Sequence, residues 1–135
     1  MNVIGCIKTT KTAAAFETTG LALMLYRNHY GTVPVQVTSS QGPLDMVAAW
    51  TEDRKAITVG VVNPTWDEYK IEMLLQGAEI DGNGKAWEIA HKDPLAFNDP
   101  GEKPEVWIEE KKLDQKQNDL QIKPLSINVY RFNVE

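Results

Sequence analysis

The apolar positions of this chain change period once, near residue 31. Before that point Leu21, Met24 and Leu25 fall at i, i+3 and i+4, and Tyr26 and Tyr30 lie four apart, the spacing of a helical face. The pattern predicts a helix that starts between Ala13 and Thr19 and runs to His29. Thr18 or Thr19 can cap its start, because a threonine hydroxyl satisfies a free backbone N–H. Gly20 argues against an earlier start, since glycine costs ~1 kcal/mol inside a helix. Arg27 and His29 fall in the last turn, where the helix dipole favours cations. Gly31 suits the left-handed position just beyond. Ahead of the helix, Val3-Ile4-Gly5-Cys6-Ile7 is apolar on both faces, as in a strand of a covered parallel sheet. Cys6 reads there as a small core residue, and Lys8 to Thr12 reads as a polar loop.

After Gly31 the period becomes two. Val33, Val35 and Val37 alternate with Pro34 and Gln36, and Pro34 confines that strand to an edge or a sheet entry. Leu44–Thr51 and Ala56–Val62 flank the charged turn Glu52-Asp53-Arg54-Lys55 and read as a hairpin. Tyr69, Ile71, Met73 and Leu75 mark a half-exposed strand. Asp81-Gly82-Asn83-Gly84 is a turn signal, since Asp-Gly and Asn-Gly tolerate positive φ. Ala86–His91 is a strand, Lys92–Pro104 a loop, Val106–Ile108 the start of a further strand, and Glu109-Glu110-Lys111-Lys112 a solvated stretch. Leu120 and Ile122 precede Pro124. Leu125, Ile127 and Val129 then shift phase to Tyr130, Phe132 and Val134, which predicts a β-bulge or a strand buried on both faces. Short strands punctuated by turns argue for an antiparallel sandwich. The boundary falls between Tyr30 and Val33, giving a strand-loop-helix unit at 1–31 and a β-rich unit at 32–135.

Chemistry is sparse in this pattern. No Gly-x-Ser-x-Gly elbow and no phosphate-cradling glycine loop occurs. Glu52, Asp53, Glu79, Asp81, Glu109 and Glu110 sit in turns or charged stretches and read as solubilising groups. Asp81 and Asn83 alternate as calcium ligands do, but Lys85 and Lys92 stand where an EF-hand loop needs oxygen donors. Trp50, Trp66, Trp87 and Trp107 could stack sugars. Trp50 and Trp107 lie in strand candidates and read as core, whereas Trp66, beside Asp67 and Glu68, is the best candidate for an exposed ring.

Composition narrows the classes further. The 135 residues match one ordinary domain. A single cysteine excludes an internal disulfide and a multi-cysteine zinc site, and two histidines argue against a histidine-rich metal site. The net charge of −5 argues against a nucleic-acid or anionic-membrane surface. No apolar run approaches the ~20 residues of a membrane span. Neither a cofactor nor a metal is expected.

The order of segments adds a resemblance. Asn2-Val3-Ile4-Gly5, Ile7-Lys8-Thr9, Glu17-Thr18-Thr19-Gly20-Leu21 and Leu25-Tyr26-Arg27-Asn28-His29-Tyr30-Gly31 look like the end of the catalytic barrel of glycoside hydrolase family 51 α-L-arabinofuranosidases. Leu44 to Ala49, Ile57 to Asn63, the Asn98…Pro104-x-Val106 stretch and Pro124 to Val129 resemble their C-terminal domain, although Pro104 and Val106 are spaced more tightly than in the family. Each motif is weak alone, and their order carries the case. The resemblance implies a mainly β fold: a jelly-roll-like antiparallel sandwich at 32–135, preceded by the last strand and helix of a (β/α)8 barrel at 1–31. It implies a parent enzyme that removes terminal α-L-arabinofuranosyl groups with retention, using glutamates on the fourth and seventh barrel strands. On that alignment both lie upstream of this chain, and Glu17, leading into the last helix, cannot replace them. No catalytic residue is therefore assigned. The implied partners are the barrel and an arabinose-containing polysaccharide. The alternative is an independent carbohydrate-binding or interaction module. An apolar N-terminal segment without its barrel is expected to fold back on the sandwich, stay mobile or pair with another copy through an exposed edge.

Overall fold

A computed structural model of the chain describes residues 5–39, 42–113 and 119–135. Among these residues it is an antiparallel β-sandwich with one helix. The strands are β1 (Ile7–Thr9), β2 (Ala14–Phe16), β3 (Val33–Val35), β4 (Asp45–Trp50), β5 (Ala56–Asn63), β6 (Tyr69–Glu72), β7 (Ile80–Ala90), β8 (Glu109–Leu113), β9 (Asp119–Ile122) and β10 (Ser126–Val134), with α1 at Thr18–His29. A six-stranded sheet has the order β3-β4-β5-β10-β7-β8; β6 and β9 form a second sheet, and β1 and β2 a small hairpin.

Central β10 explains the phase shift. It pairs with β5 and β7 on its two sides, and both of its faces are covered. Tyr130 and Phe132 join Ile57 and Val61 in a core closed by Ile71, Leu120 and Ile122 of the small sheet. Val129 points the other way, toward Leu21 and Leu25 of α1, in a second core with Trp87, Ile89 and Val106. Alternate residues of one strand thus serve two cores. The register with β7 is unbroken from Ser126 to Phe132 and slips only beyond it, between Phe132 and Val134, so of the two expected causes the two-faced burial accounts for the phase shift.

The predicted hairpin is β4–β5, with Trp50 opposite Ile57. Pro34 lies in β3, an edge strand of only three residues. The predicted helix is α1, with its start at Thr18 inside the expected window and Leu25 fully buried.

Several local expectations are corrected. Asp81-Gly82-Asn83-Gly84 is no turn but the first half of β7. Gly82 does take positive φ, at 85°, within this extended strand, near the register slip where a glycine absorbs the irregularity. Val106–Ile108 is irregular, and the charged Glu109–Leu113 segment is the strand. Charges are suited to an edge that must not pair with another chain. The Lys8–Thr12 loop begins later than expected, because Ile7–Thr9 pairs with Ala14–Phe16. That pairing is antiparallel; of the strand expected at Val3–Ile7, Val3 and Ile4 lie outside the described residues, as does Asn2. Cys6 is exposed, not core.

Gly20, inside the first turn of α1, and Gly31, just beyond its end, also act differently. Neither threonine caps the helix: Glu17 is the N-cap, makes no side-chain capping bond, and directs its carboxylate to Lys8 Nζ at 2.9 Å. A Cβ on Gly20 would collide with the Cys6 carbonyl oxygen, which accepts the Glu17 N–H. At the other end Tyr30 ends the helix in extended backbone. Gly31 is not left-handed; a Cβ there would collide with the Trp50 carbonyl oxygen.

Candidate functional site

The acidic residues singled out in the sequence do not converge. Glu52, Asp53, Glu79, Asp81, Glu109 and Glu110 are all exposed. The Asp81 carboxylate accepts the Asn83 N–H at 2.7 Å. Among the described residues no group of three or more His, Cys, Asp or Glu side chains is placed to hold a metal.

Sequence reasoning missed Glu88, the buried carboxylate. It sits on the sandwich face of β7, and its Oε1 accepts from Lys123 Nζ at 2.6 Å and Lys111 Nζ at 3.1 Å. Burial pushes its pKa up, but the two ammonium hydrogen bonds and charges outweigh that and hold it below the ordinary carboxylate range. A carboxylate held ionised in this way is a structural anchor rather than a general acid. Its signal was its place two residues before the end of an apolar strand.

The tryptophans divide. Trp87 is buried and donates Nε1–H to Glu110 at 2.9 Å, and the His29 ring stacks on it at 3.9 Å. Trp50 packs against the sandwich core. Trp66 is exposed as expected, but Trp107 is exposed too, at 57%. It lies between Val106 and Ile108, both in the helix-side core, which leaves its ring facing out.

Large apolar side chains of the hairpin, the helix and the 92–108 loop are exposed. Ile7 and Phe16 are opposite each other in the β1–β2 hairpin, and both are exposed. The Phe97 ring, also exposed, lies 4.5 Å from Lys8 Nζ. Leu23, 64% exposed, is on the side of α1 turned away from Leu21 and Leu25. Asn98 joins two of these segments. It is buried; its Nδ2 donates to the Phe16 and Val106 carbonyls, and its Oδ1 accepts the Glu105 and Val106 N–H groups. One side chain thus ties the 92–108 loop to the hairpin.

A second feature is a cleft of about 430 Å³ beyond the C-terminal end of α1. His29, on its wall, titrates below its ordinary value because burial disfavours the imidazolium. Lys85, Lys112 and Arg131 line the same cleft with Asn83 and Asn133.

No protein-family model and no curated protein matches the sequence. Solved structures do. The α-L-arabinofuranosidase of Thermotoga maritima, in an arabinose complex, matches with a TM-score of 0.81 and 21% identity over 96% of this chain and 31% of its own. The thermostable family 51 α-L-arabinofuranosidase of Thermotoga petrophila RKU-1 matches with 0.75 and 22% over 94% of this chain and 31% of its own. A family 86 β-porphyranase of Bacteroides plebeius matches more loosely, with 0.65 and 15% over 90% of this chain and 20% of its own. At these identities the likeness establishes the fold: a β-sandwich with a helix that occurs as part of glycoside hydrolases. More particularly, it is the fold of one region of family 51 α-L-arabinofuranosidases, and the chain spans about a third of their length.

Proposed function

We propose that this chain is the non-catalytic C-terminal part of a family 51 α-L-arabinofuranosidase. In this reading residues 1–31 complete the barrel, residues 32–135 form the sandwich that supports it, and the parent enzyme hydrolyses terminal α-L-arabinofuranosyl groups of arabinan or arabinoxylan with retention. The observation that carries it is coverage: the helix and the sandwich together match 96% of this chain to only 31% of an arabinofuranosidase. The exposed apolar side chains Ile7, Phe16, Leu23 and Phe97 support it, because large apolar groups left uncovered within the chain suit contact with a further part of the protein. The glutamates of the reaction belong to the barrel, and the 135 residues supply none of them.

The test is the genomic reading frame together with activity. The full frame is expected to encode a barrel and to hydrolyse an aryl α-L-arabinofuranoside, while the 135-residue chain alone does not. Specific hydrolysis by the purified chain, or an upstream frame without a barrel, overturns the reading.

A second reading is an independent carbohydrate-binding module, favoured by the two exposed tryptophans Trp66 and Trp107. Titration with arabinan and arabinoxylan, followed by tryptophan fluorescence, tests it. An unchanged spectrum together with unretarded migration in an affinity gel removes it.

A further inference from the structure

Arg131, Lys85 and Lys112 stand abreast on three neighbouring strands. Arg131 is opposite Lys85 across β10–β7, and Lys85 is opposite Lys112 across β7–β8. Directly paired residues share a face, so three cations point to the same side of the sheet. Like charges directly opposite one another are destabilising, and this chain is acidic overall, with a net charge of −5. Compensation is partial. Glu110 pairs with Lys85 at 2.7 Å, and Asp53 lies close enough to Arg131 to feel its charge. Lys112 makes no ion pair among the described residues.

The row lies where the helix stops. Thr58, opposite Arg131 on β5, is buried and bonds the Gly31 N–H, whereas Arg131, Lys85 and Lys112 are exposed. Asn83 and Asn133 line the same cleft, and the His29–Trp87 stack forms its wall. Its volume of about 430 Å³ falls in the range of small-ligand clefts, ~300–1,000 Å³. Cations and an amide suit an anionic sugar: the cations match carboxylates and the Asn133 amide matches a hydroxyl, beside the half-buried His29 ring that covers Trp87.

We propose that this cleft binds a carboxylate-bearing oligosaccharide, such as a run of uronic acids, away from the surface that meets the rest of the enzyme. The choice of a sugar over another polyanion rests on the reading of the chain as part of a polysaccharide hydrolase.

The experiment titrates the ¹⁵N-labelled chain with trigalacturonate and follows backbone amide shifts. Shifts are expected at Lys85, Trp87, Lys112 and Arg131. Arg131→Gln and Lys112→Gln should each weaken binding roughly fivefold, as befits one partly exposed ion pair, and added salt should weaken it further. Neutral arabinotriose should leave these amides unmoved. The absence of shifts with trigalacturonate overturns the proposal. So does equal or tighter binding of inorganic phosphate, which would make this a plain anion site, or of hexa-aspartate, which would make it a docking site for an acidic protein. Should a variant fail to fold by far-UV circular dichroism, the salt series on the unaltered chain still decides: salt-insensitive binding overturns the proposal. An active full-length arabinofuranosidase whose cleft ignores the trimer retires this inference alone. Trimer binding by a chain whose full frame lacks arabinofuranosidase activity retires the arabinofuranosidase reading alone.

Discussion

The Gly31 N–H donates to Thr58 Oγ1 at 2.8 Å, and the same hydroxyl donates to the Ala49 carbonyl at 2.9 Å. This buried group fastens the chain leaving the helix to the middle of the six-stranded sheet. Thr58→Val keeps the shape but leaves a donor and an acceptor unpaired. A buried unsatisfied group costs ~1–3 kcal/mol, so urea unfolding should show a loss of about that size. Gly31→Ala should also destabilise the chain, because its Cβ would meet the Trp50 carbonyl, which belongs to a strand that cannot move freely. A wild-type midpoint for Thr58→Val would remove the hydroxyl from this role.

Asn98 is predicted to hold the 92–108 loop in place. Asn98→Ala removes four hydrogen bonds, two from its amide and two to its oxygen. The loss should be concentrated locally, with the Glu105 and Val106 amides exchanging with deuterium much faster while amides of central β10 keep their protection. Unchanged exchange at Val106 would show that the loop holds without the side chain.

Glu88 predicts a pH dependence. Its folded pKa lies below the ordinary value of 4.5, since the Lys123 and Lys111 hydrogen bonds outweigh burial. The stability it contributes is therefore complete above pH 4.5 and is lost as pH falls through that value toward the folded pKa. Glu88→Gln should lower stability at neutral pH and flatten this acid limb. A parallel acid limb in the variant would place the effect on other carboxylates.

His29 titrates in the same sense, at higher pH. Burial against Trp87 lowers its folded pKa below 6.5. The unfolded chain then takes up the proton first, so stability is complete above pH 6.5 and declines as pH falls below it. An NMR titration of the ring proton should give a midpoint under 6.5, and His29→Gln should remove that part of the decline. A midpoint at or above 6.5 would contradict the stacked, desolvated ring.

Much of this architecture could be read from residue spacing. The helix was legible because Leu21 and Leu25 share a face, and the β4–β5 hairpin because two apolar runs flank a charged turn. The two-faced strand was visible as the phase shift from Val129 to Tyr130. What spacing could not reveal were features set by neighbours. Gly31 and Gly20 are glycines because a distant carbonyl approaches each of them, not because of local φ. Glu109–Leu113 is a strand because β7 lies beside it, although its composition reads as solvent-exposed loop. Asp81–Gly84 has turn residues but continues β7, which is anchored to β10 at Ile80 and Gly84 on either side of the register slip. The cationic row was invisible for the same reason: residues 85, 112 and 131 are remote in sequence and meet only through register.

The outer side of α1 separates a supporting domain from a free-standing module. Leu23 is 64% exposed and is absent from both cores. Leu23→Arg should leave the unfolding midpoint of the 135-residue chain within ~0.5 kcal/mol of the unaltered chain, as for a surface substitution without special contacts. In the proposed full-length enzyme the same change buries a charge at the contact with the barrel, so it should lower the thermal midpoint and, through it, the activity retained after heating. Leu25→Ala is the internal control, costing ~2–5 kcal/mol in either protein, since Leu25 is fully buried within the chain itself. Sedimentation of the isolated chain adds a second readout. If the face is a contact surface without its partner, the chain should self-associate as concentration rises, and Leu23→Arg should reduce that association. A chain that stays monomeric, with a full-length enzyme indifferent to Leu23→Arg, would leave the helix's outer side as ordinary solvent-facing surface and move the contact with the barrel elsewhere.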